Sequence, residues 1–113
     1  VRAAAVKPGD RVVEIGPGLG ILTNAILDAG GALTAVELDR DLAAWQRTHY
    51  GDRIRLIEAD AAQVNWSEAL PGGGWKMVAN LPYNVGTGIV LDGLRLPAIF
   101  DTITVMLQKE AVM

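Results

Sequence analysis

Three glycines and three carboxylates stand at spacings that suit a nucleoside ligand. In Glu14-Ile15-Gly16-Pro17-Gly18-Leu19-Gly20 the glycines fall at 16, 18 and 20, with an acid two positions ahead of the first. Gly16 permits a tight turn, Gly18 lets backbone approach a ligand with no Cβ between them, and Gly20 opens the next helix. The dinucleotide fingerprint is G-x-G-x-x-G, whereas here position 21 is Ile. A carboxylate at Glu14 attracts an ammonium group and repels a pyrophosphate, so the loop fits a nucleoside-sulfonium ligand better than a dinucleotide. The plain alternative is a strand–helix turn with no ligand. Glu37 follows Gly20 by seventeen residues, close to where an acid holds a ribose diol. Asp39 is better employed as a helix N-cap. Asp60, in Glu58-Ala59-Asp60-Ala61, suits an adenine amine as hydrogen-bond acceptor and equally suits a solvated cap.

Asn80-Leu81-Pro82-Tyr83 contains no strong base at neutral pH. That fits transfer to the exocyclic amine of a nucleobase, whose lone pair is delocalised into the ring. Such an amine needs orientation and acceptors more than deprotonation. The Asn80 side-chain oxygen and the Leu81 carbonyl can accept its two N–H bonds as it pyramidalises. Pro82 removes a backbone donor and stiffens a turn, and Tyr83 offers a face to an unstacked base. A proline turn beside a core tyrosine is the bland reading of the same four residues.

These residues need a scaffold, and the pattern supplies one. Strands are expected at 11–15, 33–36, 54–58, 75–79 and 102–107, from β-rich runs bounded by turn signals. Between them, helices are expected over 20–29, over 40–49 capped by Asp39, over 64–70, and over a glycine-diluted stretch at 85–96. In the second of these Leu42, Ala43 and Gln46 lie roughly in line. Gly30-Gly31 ends the first helix, Pro71 to Gly74 is a loop, and 108–113 reads as the first turn of a further helix. This alternation specifies one α/β domain over 1–113, with a parallel sheet and helices on both faces. Ligands then bind beyond the carboxyl ends of the strands, where the residues above fall.

Composition narrows the chemistry. The 113 residues carry ten Lys+Arg against thirteen Asp+Glu, for a formal charge of −3. That argues against a broad nucleic-acid face within this stretch. The absence of cysteine excludes disulfides, thiolate zinc sites, iron–sulfur clusters and cysteine nucleophiles, and a single histidine leaves no histidine cluster for a metal. No apolar run reaches a membrane span and residues 1–10 lack a signal-peptide core, which reads as a soluble, cytoplasmic chain. His49 is expected at a helix end. Trp45, Trp66 and Trp75 are expected to pack, and Met77, Met106 and Met113 to lie in the core.

Taken in order, Glu14 to Thr23, Val36-Glu37-Leu38-Asp39, Glu58 to Ala61, Asn80 to Val85 and Val105 to Val112 resemble the S-adenosylmethionine-dependent rRNA adenine N6,N6-dimethyltransferase family. The Asn-Leu-Pro-Tyr-Asn form is closer to the small-subunit rRNA enzymes of ribosome assembly than to the macrolide-resistance, large-subunit type, which stays as the alternative. The resemblance implies a Rossmann-like class I methyltransferase sheet. It implies S-adenosylmethionine on Glu14, Gly16, Gly18, Gly20, Glu37, Asp60 and Asn80, and a target adenine on Asn80, Leu81, Pro82 and Tyr83. It also implies rRNA or a pre-small-subunit particle as partner. Residues 1–7 lack the family's Gln-Asn-Phe-Leu segment, and the family continues past residue 113 with two more strands and a small helical domain. The sheet is therefore expected to be incomplete at both ends. The expected consequences are weak or no turnover and a homodimer through an exposed fifth strand. A cofactor-binding half-domain without turnover is a further reading. A nicotinamide dehydrogenase is disfavoured by Ile21.

Overall fold

The computed structural model describes residues 5–108, with backbone alone for 82–85 and 106–108. Five strands, β1 (Arg11–Ile15), β2 (Ala32–Glu37), β3 (Ile54–Glu58), β4 (Trp75–Pro82) and β5 (Phe100–Gln108), form one sheet in the order β3-β2-β1-β4-β5. Every pairing is parallel, and Ile15 lies opposite Val36 on one side and Ala79 on the other. The chain winds outward from β1 through β2 to β3, then crosses back to β4. The switch point therefore lies between β1 and β4, at their carboxyl ends.

Side-chain alternation along the strands divides the core in two. Val12, Leu33, Ala35, Ile54 and Val78 meet Ile26 of α1 (Ile21–Asp28) and Tyr50 of α2 (Arg40–Tyr50). Val13, Ile15, Val36, Met77 and Ala79 meet Trp66 of α3 (Trp66–Ala69), Ile89 of α4 (Tyr83–Leu94) and Phe100. The same parity puts Glu14 with Val12, and Glu37 with Leu33 and Ala35, on the α1/α2 face.

The helix ends follow the expected chemistry. Asp39 caps α2 by accepting from the Asp41 and Leu42 amides. After α1, the Gly30 amide donates to Leu27 O and the Gly31 amide to Ile26 O, a Schellman closure with Gly30 at φ +86°. Gly93 explains one glycine of α4: a Cβ there would come within 2.8 Å of Ile103 Cδ1, so glycine sets how closely α4 rides on β5.

Four expectations need correction. The helix expected over 64–70 is split, because the Asp60 side chain caps a short 3-10 turn (Ala61–Gln63) and Asn65 then caps α3. β4 runs on through Asn80, Leu81 and Pro82, which pair with Met106, Leu107 and Gln108, and α4 begins at once with Tyr83. Pro82 thus ends a strand, where the extended region it favours is already in use, and does not form a turn. Gln108 ends β5 and opens no helix; the rest of the helix expected at 108–113 lies outside the described residues. Trp66 and Trp75 are buried, but Trp45 is 37% exposed and stacks on His49 with ring centroids 4.7 Å apart.

Candidate functional site

Gly16, Gly18 and Gly20 all adopt positive φ, at +67°, +56° and +90°, but for different reasons. A Cβ on Gly18 would meet none of the described residues within 4 Å, so its bareness opens space rather than fitting a neighbour. A Cβ on Gly16 would lie 3.1 Å from Leu81 Cδ2, and one on Gly20 would overlap the Tyr50 hydroxyl. Gly20 lines neither cavity beside the loop. Its demand for glycine comes from Tyr50, whose hydroxyl donates to Asn24 Oδ1 at 2.8 Å.

Among the described residues, two cavities flank the loop and share Gly16. One, of about 130 Å³, is lined by Ile15, Val36, Glu37, Leu38, Asp60, Leu81 and others. The second, of about 190 Å³, is lined by Glu14, Pro17, Gly18, Leu19, Ile21, Leu22 and Asn80. The sequence-predicted acids are thus sorted: Glu37 and Asp60 stand at one cavity, Glu14 and Asn80 at the other. Asn80 and Leu81 adjoin the loop because β4 pairs with β1. The side-chain roles expected of Pro82 and Tyr83 lie outside the described residues.

Glu37 is buried, and its carboxylate is already engaged. Oε1 accepts from the Gly18 amide at 3.2 Å and from Gln46 Nε2 at 2.9 Å, and Oε2 accepts from the Asp39 amide at 3.1 Å. A carboxylate offers about four acceptor positions, so a bidentate grip on a diol requires one of these three donors to give way. Asp60 is exposed and accepts from the Ala62 amide at 2.9 Å, which makes it a cap as well as a cavity wall.

Glu14 is 2% exposed and accepts from Thr23 Oγ1 at 2.5 Å. Burial raises its pKa from 4.5 to about 7, Thr23 pulls it down, and Glu37 adds a smaller upward push. The folded protein therefore holds an extra proton between about pH 4.5 and 7. Stability should fall as pH rises through that window and level off above it, by up to about 3 kcal/mol. Glu14→Gln keeps an acceptor for Thr23 and removes the titration. Urea unfolding at pH 5 and pH 8 should show that fall in the parent and most of it abolished in Glu14→Gln; an equal fall in both would assign it to other groups.

Sequence reasoning missed Thr23, Gln46 and Tyr50 as parts of the site. The signal for two of them was present: 43, 46 and 50 are spaced i, i+3, i+7, so Gln46 and Tyr50 share the inward face of α2 with Ala43. A polar residue on such a face needs a partner.

Among the described residues no group of three or more His, Asp or Glu is placed to hold a metal, and no helix is long and apolar enough to cross a membrane. The chain is 41% identical over 115 residues to the ribosomal RNA small subunit methyltransferase A of Hahella chejuensis and 43% identical to that of Acinetobacter baylyi. Each comparison covers 99% of this chain but 42% of the relative, so the chain spans about two fifths of the length of these relatives. Among solved structures it resembles the 23S rRNA methyltransferase ErmE, with a TM-score of 0.74 and 29% identity over 87% of this chain and 39% of that one. The five-stranded sheet is accordingly that of a class I methyltransferase. The family model described as ribosomal RNA adenine dimethylase matches residues 1–113, and on that full-length match the chain belongs to the ribosomal RNA adenine dimethylase family.

Proposed function

We propose that this chain is the methyl-donor-binding core of an enzyme that transfers methyl groups from S-adenosylmethionine to the N6 amine of adenines in small-subunit rRNA. The observation that carries the reading is the pair of cavities meeting at Gly16, with Glu37 and Asp60 at one and Glu14 and Asn80 at the other. A nucleoside fits the first, between the apolar walls Ile15, Val36 and Leu81 and the two acids. An amino-acid tail fits the second, where an ammonium finds Glu14. The bare Cα of Gly18 gives the join between the two halves room. The donor, when bound, supplies an electrophilic methyl group on a sulfonium.

This chain's residues supply orientation. Glu37 accepts from the ribose, and Glu14 faces the ammonium once ionised. Asn80 accepts from the target amine and holds its lone pair toward the methyl group. The small-subunit assignment rests on the names of the curated relatives. The likeness to ErmE favours a large-subunit rRNA target as the second reading.

Titration calorimetry with S-adenosylmethionine, S-adenosylhomocysteine and NAD tests the ligand class. The adenosyl ligands should bind and NAD should bind more weakly or not at all; tighter binding of NAD would overturn the reading. Glu37→Gln should weaken the adenosyl ligands by about 1–3 kcal/mol, the range for a hydrogen bond to a charged group. An unchanged dissociation constant in that variant would remove Glu37 from the ribose. Methyl transfer to undermethylated 30S and 50S particles separates the two rRNA targets.

A further inference from the structure

Gln46 is fully buried and spends its amide on two partners. Nε2 donates to Gly18 O at 2.7 Å and to Glu37 Oε1 at 2.9 Å, while Oε1 has no hydrogen-bond partner among the described residues. An orphaned buried carbonyl is unfavourable. Turning the amide over would not help, because Oε1 would then face two acceptors, the Glu37 carboxylate and the Gly18 carbonyl. An apolar residue such as Met would fill the same place with no orphan. A glutamine here is therefore explained by what its donor does.

That donor ties the glycine loop, which borders both cavities, to the end of β2, which borders the Glu37 cavity. Gly18 belongs to the loop after β1, Glu37 ends β2, and Gln46 reaches both from α2. The Gly18 amide also donates to Glu37 Oε1. Gly18 is thus held to this cluster through its carbonyl as well as its amide, and Glu37 Oε1 is held by two donors at once. Should a ribose hydroxyl displace the Gly18 amide from Glu37, Gln46 still fixes the carboxylate from its other side and still holds the loop by the Gly18 carbonyl.

We infer that Gln46 is a positioning residue that presents Glu37 to the ribose diol and makes the grip of the glycine loop depend on it, so that the site selects ligands carrying both ribose hydroxyls. This rests on the methyl-donor reading above and adds to it a source of ligand selectivity on α2.

Gln46→Met removes the donor and the orphan together while keeping the length of the side chain. Gln46→Leu is a second variant should Met pack badly. In calorimetry, Gln46→Met should bind S-adenosylhomocysteine at least tenfold more weakly than the parent, yet bind its 3′-deoxyribose analogue within about threefold of the parent. In a Glu37→Gln background, adding Gln46→Met should change the affinity little. Hydrogen exchange at the Gly18 amide, followed without ligand, should accelerate at least tenfold in Gln46→Met.

Equal weakening toward both ligands would mean that Gln46 merely supports the fold, and unchanged Gly18 exchange would mean that it does not hold the loop; either overturns the inference. If the parent bound no adenosyl ligand, the proposed function would fall, and the exchange rate at Gly18 would still decide the tether.

Discussion

Gly20→Ala should unfold or severely destabilise this protein, while Gly18→Ala should leave it folded but weaken ligand binding at least tenfold. The two glycines stand two residues apart in one loop and both have positive φ. What differs is the space beside them. A methyl on Gly20 would overlap the Tyr50 hydroxyl and lie 3.0 Å from Tyr50 Cζ. Tyr50 cannot simply swing away: it is 3% exposed, belongs to the core on the α1/α2 face, and donates to Asn24. Overpacking of about 1–3 kcal/mol adds to left-handed backbone strain of about 1–2 kcal/mol, for a total of about 2–5 kcal/mol, a large part of the stability of a domain this size.

At Gly18 only the backbone strain applies, about 1–2 kcal/mol, because the added methyl meets nothing. That methyl would occupy space along the wall that Gly18 contributes to the Glu14 cavity. Thermal melts and calorimetry with S-adenosylhomocysteine separate the outcomes. Gly18→Ala should melt within several degrees of the parent and bind at least tenfold more weakly. If Gly20→Ala melted like the parent and lost only binding, Gly20 would be a ligand contact, as the family resemblance implies, and the Tyr50 explanation would fail.

The pair also marks how far the sequence can be read. Glycine spacing at 16, 18 and 20 and the strand–helix alternation around it are visible because turn chemistry and hydrophobic periodicity are local properties. The parallel sheet was readable in the same way, from strands alternating with helical crossovers, whereas its order β3-β2-β1-β4-β5 emerges only from the pairing of the strands. That Gly20 answers to Tyr50, thirty residues on, is a fact of packing between two helices and has no local trace. Glu37 shows the same limit from another side. Its place past the glycine loop is the one expected of a ribose-binding acid, but its engagement with Gly18, Gln46 and Asp39 emerges only when β2, α2 and the loop are assembled. The extension of β4 through Pro82 was hidden for a related reason. Proline reads as a turn in isolation, and only the length of β5 beside it provides the pairing that keeps Asn80 to Pro82 extended.

That extension bears on the chemistry expected of Asn80. A residue on a paired strand is held more firmly than one on a free turn, and Asn80 lies beside the glycine loop because β4 pairs with β1. A site without a strong base draws its rate from orientation and from acceptors fixed before reaction. On the proposed function, Asn80→Ala should therefore lower the rate of methyl transfer to rRNA by about 10²–10³-fold, the range for deleting one preorganised hydrogen-bonding group. The dissociation constant for S-adenosylhomocysteine should rise far less, because Asn80 is one of eight residues around the Glu14 cavity and the nucleoside half lies in the other. Asn80→Asp is the sharper variant. It keeps an acceptor at the same reach and introduces a negative charge near Glu14, so binding of the cationic S-adenosylmethionine should hold or strengthen relative to neutral-tailed analogues, and transfer should fall far less than in Asn80→Ala. Single-turnover transfer of tritiated methyl groups to undermethylated small subunits reads the rate constant for transfer, and calorimetry reads binding. If Asn80→Ala transferred methyl groups at the parent rate while binding the donor tenfold more weakly, Asn80 would be a donor ligand alone, and orientation of the target amine would have to come from the backbone of Leu81 or from elsewhere.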